Sequence, residues 1–225
     1  MNNQDQTIKS QVQVNQRSKI SWVILLLSTI LFGCSSLKHL LFQSTAWDLG
    51  IFDQAVYLIS QDQSPISSFT NFHILGDHGA LILYPLSLLY RLFPSVYWLL
   101  LVQAIALSIS VHPLWCLALE RGLAVNRAWL IVVIYFCYPL VFNLNLFDFH
   151  PEVIALPAIC WAIYFGLQKE QNRKTIFGFI LAILVALSYK AATALTIIGL
   201  GVWLFCFESH SGSKKFSQPQ RSRWG

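Results

Sequence analysis

Long apolar runs alternate with short polar segments along this chain, and the pattern predicts helices. A helix crossing the hydrocarbon core needs about 20 apolar residues. Segments 20–41 and 95–119 meet that length, the second with Pro113 as a kink point. Segments 128–142 and 153–167 are shorter but strongly apolar. Segment 176–207 is too long for one upright span and is read as two short helices, 176–189 and 192–207, meeting near Tyr189 and Lys190. The sum is an all-α, polytopic transmembrane helical bundle of about six spans.

A long polar-apolar segment, 42–94, follows the first span. Trp47, Ile51, Phe52, Ala55, Val56 and Ile59 recur at helical spacing, which predicts an amphipathic helix lying on the membrane. A second such helix is expected over 80–93, interrupted by Pro85 and closed by Pro94. The Ser- and Gln-rich stretch between them reads as a loop. Loops of this length in compact proteins are usually functional.

Composition agrees with the membrane reading. The 225 residues are 56% hydrophobic and only 11% charged. Soluble domains run at roughly 45–50% apolar and about 25% charged. The net charge of +5 does not point to nucleic acid, because most of the basic residues sit in the tails and between helices. Lys9, Arg17 and Lys19 precede the first span. Arg121, Arg127, Lys169, Arg173 and Lys174 fill two later loops, and Lys214, Lys215, Arg221 and Arg223 mark the end. The positive-inside rule then places both termini in the cytoplasm, with 1–19 a disordered tail and 208–225 a polar tail. Segment 20–41 exceeds the length of a signal-peptide core and has no clear small-residue cleavage site, so it is read as an uncleaved span. Cys34, Cys116, Cys137, Cys160 and Cys206 are spread through apolar runs, which fits packing better than a disulfide framework or a metal site.

Against this background the outer-face charges stand out. Five of the ten acidic residues and two of the six histidines fall in three clusters: Asp48 with Asp53, Asp77 with His78, and Asp148-Phe149-His150-Pro151-Glu152. Charges gathered beside a bilayer are functional candidates. Each has a structural alternative. Asp48 suits a helix N-cap, and Asp77-His78 suits capping after a glycine turn. Pro151 and Glu152 suit the first turn of a helix. Lys190 suits a cation that snorkels to the interface. The functional readings are a general base toward a hydroxyl, a divalent metal site of unassigned ligands, and histidine or lysine contacts to phosphate. The chain contains no nucleotide-binding glycine loop, zinc motif or nucleophile elbow.

The run from Trp47 through Gln54 to Val56 resembles the opening motif of a family of multi-pass membrane proteins known only as domain of unknown function 2079. Gly76-Asp77-His78 resembles its second motif, and Phe147 to Glu152 its third. The resemblance covers about residues 20–207. That family is similar in layout to the C-type glycosyltransferases, which use lipid-phosphate-linked sugars. The resemblance implies a catalytic acid at Asp48 (or Asp53), with Asp48 taken as the base and Asp53 and Asp148 supporting it. It implies substrate contacts from Asp77, His78, His150, Glu152 and Lys190, and a polyprenyl-phosphate sugar as donor in a bacterial inner membrane. The family's lysine at the Lys190 position is often followed by two acidic residues, where this chain has Ala191 and Ala192. Family members are typically longer, so an N-terminal portion of such a protein is expected. A non-enzymatic transporter subunit or structural partner, or an inactive fragment, remain the alternative readings.

Overall fold

A computed structural model describes residues 3–168, 170–189 and 192–208, with side chains described from residue 18 to 206 of these. Lys190 and the segment beyond 208 lie outside the described residues. The fold is all-helical, 76% of it helix, with no strand among the described residues. In chain order the helices are α1 (Asn3–Leu40), α2 (Ile51–Ser60), α3 (Ile74–Asp77), α4 (Leu83–Leu92), α5 (Tyr97–Ile109) and α6 (Val111–Glu120). They continue as α7 (Val125–Cys137), α8 (Pro139–Leu146), α9 (Pro151–Gly166), α10 (Arg173–Leu187) and α11 (Thr193–Trp203). A π-helical turn, Ala46–Gly50, leads into α2.

Among the described residues, two stretches are long and apolar enough to cross a membrane alone: Ser18–Leu40 within α1, and Tyr97–Glu120, which is α5 and α6 end to end. A third exists only if α7 and α8, bent by 42° at their junction, are counted as one. Six spans are therefore not supported; two or three are. Length decides this: α9 has 16 residues and rises roughly 24 Å at about 1.5 Å per residue, short of the ~30 Å hydrocarbon core. The α7–α8 bend follows from Pro139, which pushes Tyr138 out of the helical region to φ −72, ψ 118. Helix α1 also differs from expectation, starting at Asn3 rather than near residue 20. The stretch expected as an unstructured tail carries no Pro or Gly to stop the helix and is rich in Gln, a fair helix former.

Three apolar cores stack along α1. At one end Ile20 packs with Val111, Trp115, Ala118, Ala128 and Val132. Midway, Leu31 meets Ala104, Leu107, Val141 and Val153. At the far end α2 and α4 join Leu99, Leu100, Phe149 and Ile154 in one cluster. The amphipathic reading of 47–59 holds for Ile51, Phe52, Ala55, Val56 and Ile59, all buried. Trp47 is the exception, exposed and set edge-on to Phe69. Basic residues gather at the first end. There the Arg121 guanidinium donates to the Leu167 carbonyl at 2.7 Å, tying the loop after α6 to the loop after α9.

Candidate functional site at the loop end of the bundle

Helix α8 stops at Leu146 and Pro151 opens α9, so the intervening turn must reverse direction in a few residues. Asp148 makes the reversal in the left-handed region, at φ 85. Asp and Asn are the non-glycine residues that adopt this conformation most readily. The fully buried Gln103 of α5 holds the turn from below. Its Nε2 donates to the carbonyls of Asp148 at 2.8 Å and Leu144 at 3.2 Å, and its Oε1 accepts from the His150 N–H at 2.9 Å. Asn145, also fully buried, donates from Nδ2 to the Leu31 carbonyl at 2.8 Å. Two buried amides thus fasten the turn to α5 and α1.

The Asp148 carboxylate is almost wholly enclosed. It accepts from Lys38 Nζ at 2.8 Å, from the Thr45 N–H at 2.8 Å and lies 3.1 Å from the Thr45 hydroxyl. Burial alone would raise its pKa. The hydrogen bond and charge of Lys38, with the Thr45 N–H, outweigh burial and hold the carboxyl below its ordinary value. Thr45 also caps the turn into α2, accepting from the Asp48 N–H at 3.2 Å. Its hydroxyl reaches Asp48 Oδ2 at 2.9 Å, so the single hydroxyl proton serves either carboxylate. Asp48 Oδ1 lies 4.0 Å from His150 Nε2. Residues from the first and third motifs therefore meet at Thr45. The cap expected of Asp48 is supplied by Thr45 instead.

Asp53 stands apart from this knot. It accepts from the Tyr90 hydroxyl of α4 at 2.6 Å, and burial, reinforced by Asp53, raises the Tyr90 pKa far above the usual phenol range. Asp53 lines two adjoining clefts. One, of about 300 Å³, is walled by His39, Ser44, Thr45, Leu49 and Val96. The other, of about 500 Å³, is walled by Tyr57, Tyr90, Pro94, Ser95 and Val96.

Among the described residues, the second motif joins the others through aromatic packing. His78 packs edge-on against Phe52 at 5.0 Å, and Phe52 against the buried Phe149 at 5.6 Å. His78 Nδ1 sits 3.2 Å from Asp77 Oδ2, close but out of line for a hydrogen bond. His78 follows the short α3 as its C-cap rather than capping α4. Glu152 lies half-buried in the first turn of α9. Among the described residues, no group of three His, Cys, Asp or Glu side chains is placed to hold a metal ion.

Lys38, Thr45, Gln103 and Tyr90 are site residues that the motif reading passed over. Lys38 carried a signal, being a base late in an apolar span on the acidic side. Thr45 carried another, lying three residues before an acid at a helix start. Gln103 and Tyr90 sit in apolar runs with no local cue.

The sequence pattern described as "Predicted membrane protein (DUF2079)" matches residues 38–221. The chain belongs to the DUF2079 family. The matched region starts at Lys38, the partner of Asp148, and takes in all three motifs. No curated protein and no solved structure matches the chain. Membership identifies a predicted membrane protein and carries no activity with it.

Proposed function

We propose that this DUF2079 chain is a glycosyltransferase-like membrane enzyme that uses a polyprenyl-phosphate-linked sugar on the outer face of a bacterial inner membrane. The observation that carries the reading is the junction at Thr45. Its hydroxyl lines the smaller cleft and contacts both Asp48 and the locked Asp148. Asp48 acts as general base. Its carboxylate is half-exposed, and Asp148 with Lys38 fixes the loop that carries it. An acceptor hydroxyl attacks the anomeric carbon of the donor sugar and passes its proton to Asp48. The new C–O bond forms as the bond to the polyprenyl phosphate breaks. His150, 4.0 Å from Asp48, carries positive charge toward the departing phosphate when protonated. Lys190 and His78 are assigned the same electrostatic task, and Asp77 and Glu152 are assigned to substrate binding. The lipid chain lies along the exposed apolar flank of the bundle. Orientation rests on the clustering of Lys19, Arg121, Arg127, Arg173 and Lys174 at the opposite end, which the positive-inside rule puts in the cytoplasm.

The test is binding and turnover of polyprenyl-phosphate sugars by the purified chain. Sugar transfer lost in Asp48→Asn, with donor binding weakened in Lys190→Ala, is the expected result. A folded wild type that binds no lipid-linked sugar would sink the proposal and favour a non-enzymatic role.

A further inference from the structure

We infer that the groove formed by the two clefts at Asp53 is the subsite for a neutral, hydroxyl-rich group, the acceptor rather than the phosphate-bearing donor. This rests on the transferase reading above, but the binding claim is separable from it. The clefts adjoin, with Asp53 and Val96 in the walls of both. Their volumes, about 300 and 500 Å³, fall in the ~300–1,000 Å³ range of small-molecule sites.

The lining fits a carbohydrate-like ligand. Asp53 Oδ1 is engaged by Tyr90, while Oδ2 has no protein hydrogen bond among the described residues, leaving a charged acceptor for ligand hydroxyls. Ser95 adds a hydroxyl that donates and accepts, and Ser44 and Thr45, whose hydroxyls already contact His39 and the Asp48 and Asp148 carboxylates, add acceptor capacity. Tyr57, an exposed aromatic ring on the wall, offers an apolar face to a sugar ring.

Electrostatics exclude the phosphate from the same place. Asp53 is the carboxylate of the groove, and among the described lining residues His39 alone carries a basic side chain. The nearby Lys38 is neutralised by Asp148 at 2.8 Å, and Arg91 is paired with Asp62 in a different cleft. A phosphate here would face a carboxylate with no lysine or arginine among the described lining residues to offset it, whereas a neutral polyol gains charge-assisted hydrogen bonds. The donor phosphate is thus assigned to the other side of Thr45, toward His150.

The experiment is saturation-transfer NMR on the full chain in an amine-oxide detergent, which has no sugar headgroup. The probes are the methyl glycosides of glucose, mannose and galactose, with glucose-1-phosphate as the charged comparison. At least one methyl glycoside is expected to bind, and glucose-1-phosphate more weakly. Asp53→Asn and Tyr57→Ala are each expected to weaken binding by about tenfold. Tyr57 is 46% exposed, so its removal leaves the core intact. The inference is overturned by unchanged binding in both variants, by glucose-1-phosphate binding as tightly, or by no signal from any methyl glycoside. Donor turnover in the wild type with none of these glycosides bound would discard the groove assignment and keep the enzyme. Asp53-dependent glycoside binding without any turnover would do the reverse.

Discussion

Asp148 and Asp53 lie at the same end of the bundle, and their surroundings are opposite. Asp148 is buried, left-handed in backbone, and its carboxylate is engaged by Lys38 and Thr45. Asp53 is half-buried on an open groove, with one oxygen held by Tyr90 and the other without a protein partner among the described residues. A buried carboxylate whose oxygens are both engaged cannot offer itself to a ligand without breaking its own support. A groove carboxylate with an oxygen to spare can. Acidic residues that look equivalent in a motif therefore divide into one that builds the site and one that faces it.

The sharpest way to break this contrast is Asp148→Ala. It leaves Lys38 unpaired beside a buried turn and is expected to cost about 3 kcal/mol or more of stability, read as a large drop in thermal unfolding temperature in detergent. A neutral result would mean that the Lys38 pair holds nothing. Gln103→Leu is expected to cost about 2–3 kcal/mol, because the Asp148 carbonyl and His150 N–H lose their buried partner. The same assay reads it, and little change would show that the turn holds its shape unaided. The pH dependence sharpens the same side. The native Asp148 carboxyl titrates below the unfolded value of about 3.9, so its stabilisation is complete above that pH and is lost as pH falls through the native value. An acid limb in unfolding temperature that flattens in Asp148→Asn is the expected outcome.

The groove side predicts smaller structural effects. Tyr90→Phe removes one hydrogen bond from a ring that stays buried, and is expected to cost about 1 kcal/mol. Asp53→Asn keeps an oxygen for the Tyr90 hydroxyl and is expected to alter stability by about 0.5 kcal/mol or less. Its effect belongs in ligand binding. A loss from Asp53→Asn as large as that from Asp148→Ala would erase the distinction.

Much of the scaffold was legible in the apolar pattern. Residues 20–41 and 95–119 foretold the two self-sufficient spans, and 176–207 foretold the pair α10 and α11. The spacing of Ile51, Phe52, Ala55, Val56 and Ile59 foretold the buried face of α2. Span count was less legible, because hydropathy does not report where a helix bends or how long it runs: Pro139 bends one candidate span, and α9, which opens at Pro151, is too short to cross. Within the site, the motif residues were visible as charges, but their division of labour was not. Gln103 lies in an apolar run about forty residues before the turn it holds, and no local pattern connects them.

By itself the sequence determined that this chain is a helical membrane protein of the DUF2079 family with acidic motifs in its polar segments. Those properties follow from local composition and from spacing of a few residues, which a chain carries whether folded or not. Only the tertiary structure decided that Lys38 would neutralise Asp148, that Thr45 would join two motifs, and that Asp53 would face a groove with Tyr90. Such pairings span large sequence separations. They depend on how helices pack, and packing sets which charges are enclosed and which remain available.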